Sequence, residues 1–91
     1  MSRTIWRFPI PAKSEFELEL PQGARVVHVG CKDDAPDMWV LLDKDAEPEL
    51  RGFLVLATGE RVPDRSRDYL GTFFTDDGQL VWHLFDAGPH V

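Results

Sequence analysis

The chain has a single cysteine, Cys31, so it can close no internal disulfide and offers no paired thiols for redox exchange. Long apolar runs are missing as well. No stretch approaches the roughly 20 residues that cross a bilayer as a helix, and the opening MSRTIWRFPIP has no apolar segment of signal-peptide length. A reducing cytoplasm is therefore the expected location, and a membrane is not an expected partner. Positive charge is scarce. Ten Lys and Arg stand against sixteen Asp and Glu, a formal charge of -6, and duplex nucleic acid demands the opposite balance. Phosphate-loop glycine patterns are also lacking. Neither G-x-G-x-x-G nor a Walker sequence occurs, and ATGERVPD holds one glycine.

What the chain does have is a period of two. In SEFELEL, Phe16, Leu18 and Leu20 share one face while Glu15, Glu17 and Glu19 share the other, the pattern of a half-buried antiparallel strand. RTIWRFPI alternates Trp6, Phe8 and Ile10 against Arg3, Ile5 and Arg7. Pro9 and Pro11, which donate no ladder hydrogen bond, end that strand or place it at an edge. PQG at 21–23 reads as a turn. ARVVHVGC and MWVLLD follow as strands joined by the polar KDDAPD, and LRGFLVLAT reads as a long central strand. YLGTFFT and GQLVWHLF close the chain, with Asp77-Gly78 as the hairpin signal between them. The expected fold is all-β: one domain, a compact antiparallel sandwich or small barrel of about seven strands. At most a short helical turn is expected near 63–70, with residues 87–91 fraying.

Catalytic and metal chemistry find little to work with. His28, Cys31, His83 and His90 are the ligands beyond carboxylates, and the three-residue step from His28 to Cys31 puts them on opposite strand faces. No metal, cofactor or catalytic residue is expected, and Cys31 reads as a small buried hydrophobe. The segment TGERVPDRSRDY is different. Gly59 and Thr58 could turn the backbone into an anion nest, and Arg61, Arg65 and Arg67 could present planar forks to phosphate. Tyr69 or Trp82 would then stack on a base. The competing reading is that these arginines pair with Glu60, Asp64 and Asp68 beside them, as surface ions commonly do. The aromatics lie mostly in strands, so they first serve the core. Adjacent Phe73 and Phe74 must point to opposite faces, so either both faces are covered or some aromatic surface is exposed for a partner, and a homo-oligomer that buries one sheet face is the expected account.

Read in order, TIWRFPIP, LPQGARVVHVG, MWVLLD, LATGERVPD, YLGTF and LVWHLF resemble a family of short bacteriophage and prophage proteins labelled as a domain of unknown function. The likeness spans about residues 4–86. The chain departs from it in the turn, where Ala57 precedes Thr58-Gly59, and in the acidic KDDAPD. The resemblance implies a phage accessory protein acting by stoichiometric binding, and it carries no site residues with it. The leading expectation is a counter-defence sponge for a phosphorylated nucleotide signal. The alternatives are an inhibitor or adaptor that holds a host protein through acidic loops and a sheet face, or a minor virion component.

Overall fold

The computed structural model describes residues 1–89 and places seven strands with no helix among them. They are β1 (Arg3–Pro9), β2 (Glu15–Pro21), β3 (Arg25–Lys32), β4 (Ala35–Asp43), β5 (Pro48–Ala57), β6 (Tyr69–Thr75) and β7 (Leu80–Pro89). Two antiparallel sheets form, β1-β4-β3 and β2-β5-β7-β6, and they do not close into a barrel. Of the prolines that end strands, Pro9 and Pro21 lie on the edge strands β1 and β2. β5 is interior to its sheet, as its apolar length predicts.

The alternation decides which side of each sheet faces inward. Phe16 and Leu20 of β2, Phe53 and Val55 of β5, Phe73 of β6 and Leu84 of β7 meet Met38, Val40 and Leu42 of β4 in one buried cluster. Phe16 stacks on Phe53 with ring centroids 5.2 Å apart. On one flank β3 lies against β6. The approach there is close enough that a Cβ on Gly71 would come within 2.8 Å of the Val29 side chain.

Two expectations need correction at the ends of elements. KDDAPD is not a six-residue link. Lys32 pairs with Ala35, and Asp33 and Asp34 make a two-residue turn at φ 52° and 61°. Aspartate tolerates that left-handed backbone better than most residues, which lets so polar a segment serve as a tight hairpin. Residues 87–89 do not fray but continue β7, where Gly88 pairs with Gly52 and Pro89 with Arg51. His90 and the rest of that tail lie outside the described residues. Near 63–70 a single turn forms, with Ser66 N–H donating to Pro63 O at 3.0 Å.

One polar arrangement sits in this interior. Arg51 shares the inward parity of Phe53 and Val55, and its guanidinium donates to Asp86 Oδ2 at 2.7 Å and to Ala24 O at 2.9 Å. Asp86 has the inward parity of Leu84 and lies opposite Phe53, just before a register shift that places Gly88 opposite Gly52, and its second oxygen accepts the Gly88 N–H at 2.6 Å. The pair thus joins β5, β7 and the β2–β3 turn. Both side chains are nearly enclosed, at 11% and 12% exposure, so each ion depends on the other for its charge compensation. Arg51→Met is expected to lower the unfolding free energy by about 3–5 kcal/mol, the usual cost of stranding one buried charge. The Arg51→Met/Asp86→Leu double change should lose less than the two single changes summed. Urea denaturation followed by tryptophan fluorescence measures both.

Candidate functional site

The arginines of the 58–68 segment do not converge. Arg65 reaches across to β2 and donates to Glu15 Oε2 at 2.7 Å. Arg61 stands 3.9 Å from Asp64, both side chains almost wholly in solvent. The Arg67 side chain lies over Gly88, and its backbone N–H donates to Asp86 O at 2.8 Å. The nest expected around Gly59 is already engaged. Thr58 N–H donates to Val81 O, Glu60 N–H to Ala57 O, and the Glu60 carboxylate itself accepts the Ala57 N–H at 2.7 Å.

The segment has a packing task instead. Leu54 and Leu56 point away from the sandwich interior, yet they are 2% and 6% exposed. The chain from 58 to 68 leaves β5, reaches β2 through Arg65 and returns to β7 through Arg67, and so forms a strap over these leucines. Gly88 makes the strap's seat under Arg67. Gly88 has φ +82°, and a Cβ there would meet the Arg67 Cζ at 2.7 Å. Gly88→Ala should cost on the order of 1–3 kcal/mol through backbone strain and the displaced arginine. It should also speed tryptic cutting after Arg61 and Arg65 in the native protein, measured by mass spectrometry of timed digests.

Tyr69 and Trp82, expected as alternatives against one base, occupy opposite faces of the four-stranded sheet. Trp82 pairs with Phe73 on the inward side, and its Nε1–H donates to Thr75 Oγ1 at 2.8 Å. Tyr69 faces outward and does meet another expected residue, through a histidine. Thr58 Oγ1 lies 2.8 Å from His83 Nε2, His83 Nδ1 lies 2.6 Å from the Tyr69 hydroxyl, and that hydroxyl also bonds Thr72 Oγ1. This chain fixes the imidazole between two hydroxyls. It pins the start of the strap to β7 and β6.

A second group of exposed cations lies on the other sheet. Register puts Ile5 opposite Leu41 and Arg7 opposite Trp39 on β1 and β4. It puts Arg25 opposite Leu41 and His28 opposite Trp39 on β3 and β4. All face away from the core. His28 and Trp39 rings are 5.3 Å apart, and Gly30 beside them keeps the surface low. Val27, the extra residue of a bulge in β3, adds to the patch, and Ile5 is 55% exposed. Arg3, Arg7, Arg25 and Lys32 share this face with two carboxylates, Asp37 and Asp43. Asp43 is engaged already. Backbone N–H groups of Ser2 and Asp45 hold its carboxyl below the usual range. Among the described residues Arg7 and Arg25 have neither an ion pair nor a hydrogen-bond partner. The signal for this face was present in sequence, as Arg3-x-x-x-Arg7 on the parity opposite Trp6 and Phe8. Only the sheet order could add Trp39 and His28 to it.

Cys31 points inward against the core, while His28 points out. Among the described residues no three His, Cys, Asp or Glu side chains gather to hold a metal ion. Burial pushes the Cys31 thiol above its ordinary value, helped by the carboxylates of Asp34, Asp37 and Asp33. Its alkylation by iodoacetamide should therefore be slow at neutral pH and still accelerating at pH 9.0, the ordinary value. A rate that levels off near neutrality would contradict this.

Over residues 1–90 the chain matches the family described as Domain of unknown function (DUF7352), and it belongs to that family. None of the curated proteins matches it. No solved structure does either.

Proposed function

We propose that this member of the DUF7352 family acts by stoichiometric binding without turnover, with the outer face of β1-β4-β3 as its contact surface and a protein of opposite charge as its partner. The carrying observation is the half-buried Trp39 packed beside the exposed His28, between the unpaired Arg7 and Arg25. Aromatic and arginine side chains are enriched where protein contacts concentrate their energy. The face is a sheet surface, and a flat platform suits a macromolecular partner better than a mononucleotide, which needs a concave site. A phage-type accessory role, in which the protein occludes a host factor, fits this reading. The phosphorylated-nucleotide ligand keeps one support, the same two arginines beside two rings, now away from the strap. Self-association finds its support on the other sheet, where Phe74, 53% exposed, and Tyr69, 51% exposed, both stand on the outer face.

A photoreactive benzophenone side chain at Ile5 tests the contact surface in the producing cell, with the same group at Gln79 as control. A discrete adduct from position 5 is expected, lost when Arg7→Glu and Arg25→Glu are introduced together. Equal adducts from both positions, or none, would remove the face from consideration. Native mass spectrometry of the same preparation would expose a retained nucleotide instead.

A further inference from the structure

At one end of the sandwich, between the β1–β2 connection and the tips of the β3–β4 and β6–β7 hairpins, lies a cleft of about 520 Å³. That volume falls within the usual range for small-molecule sites. Ile10, Val55 and Phe73 form its floor, all buried, and the indole of Trp82 forms a wall. The walls are tied in place. Trp82 is held by its bond to Thr75, Ile10 N–H donates to Pro36 O at 2.9 Å, and Val55 N–H donates to Ser14 O at 2.8 Å. The two hairpin tips are clasped by Asp76 N–H donating to Asp34 Oδ1 at 3.0 Å.

The rim has one sign of charge in excess. Asp34, Glu60 and Asp76 line it, against Lys13 alone. Asp34 and Glu60 each spend one oxygen on a backbone N–H, and their other oxygens make no bond among the described residues. The Asp76 carboxylate makes none at all, and none of the three joins an ion pair. Unpaired carboxylates around an apolar, aromatic floor suit a ligand that brings its own positive charge.

We propose that this cleft binds a small organic monocation, with a flat apolar body against Trp82 and Phe73 and a protonated amine at the Asp34–Asp76–Glu60 rim. A phosphorylated ligand is the wrong charge for it, which separates Trp82 from any phosphate site on this chain. The site is independent of the sheet face and stands or falls without it.

Three indoles of similar shape test the proposal: tryptamine, the uncharged tryptophol and the anionic indole-3-acetate. Each is titrated into ¹⁵N-labelled protein and followed by two-dimensional NMR. Tryptamine should shift the Trp82 indole N–H saturably together with the Leu80 and Phe73 amides. Tryptophol should bind several-fold more weakly, and indole-3-acetate weakest. Asp76→Asn, which keeps a residue suited to φ 55° at that turn, should weaken tryptamine roughly fivefold and leave tryptophol unchanged. No saturable change at Trp82 with millimolar tryptamine would overturn the site. Indole-3-acetate binding as tightly, or Asp76→Asn without effect on tryptamine, would overturn the ligand class.

Discussion

The interaction on which most of this molecule depends is an ion pair placed where an apolar contact would be expected. Arg51 and Asp86 hold β5 to β7 and reach the β2–β3 turn through Ala24. Their geometry also sets the register. Asp86 points inward by simple alternation with Leu84, and the shift just beyond it, between Gly52 and Phe53, leaves Gly88 opposite Gly52 as the low seat on which Arg67 lies. Replaced by two well-packed apolar groups, the pair would not obviously leave the protein less stable. What it supplies is directionality. A charge that must find one partner fixes how β7 slides against β5, and the strap follows from that.

The arginines of the strap show how a cluster in sequence disperses in space. Three cations within seven residues suggest a shared anion, and every one has an acidic neighbour in the chain. Yet Arg65 takes Glu15, fifty residues away, and the Arg67 guanidinium lies on a glycine surface while its backbone N–H holds the chain to Asp86 O. The local choice between an anion site and neighbouring ion pairs left out the option that two of the three adopt. They fasten an irregular segment over two leucines that would otherwise face water. Burying Leu54 and Leu56 in this way is worth several kcal/mol on area arguments, far more than exposed ion pairs return.

The strands were legible because their outer sides are wet. Glu15, Glu17 and Glu19 alternate cleanly with Phe16, Leu18 and Leu20, so the period of two needs no context. The start of β4 was not legible, because Ala35-Pro36-Asp37 carries turn-like residues into a ladder and only the φ values of Asp33 and Asp34 show where the reversal falls. Arg51 was hidden for a different reason. In a run such as LRGFLVLA its inward parity is visible, but its partner lies thirty-five residues on and behind a bulge. The same limit applies to the exposed face. Arg7 and His28 become neighbours of Trp39 only through a sheet order in which β4 separates β1 from β3. Pairing between strands distant in the chain, which alternation does not encode, is the information that was missing.

The two outer surfaces of the sandwich also differ in charge. β2 exposes a row of glutamates, while the outer side of β1-β4-β3 carries four cations against two carboxylates. In a chain with formal charge -6 this separates the centres of positive and negative charge from one sheet to the other. Such a body has a dipole moment, and a charged neighbour applies a torque to it before any contact forms. The protein would tumble toward an anionic surface with Trp39 leading and its glutamates trailing. Its encounters would thus be selected by orientation at distances comparable to the screening length, before shape complementarity begins to act.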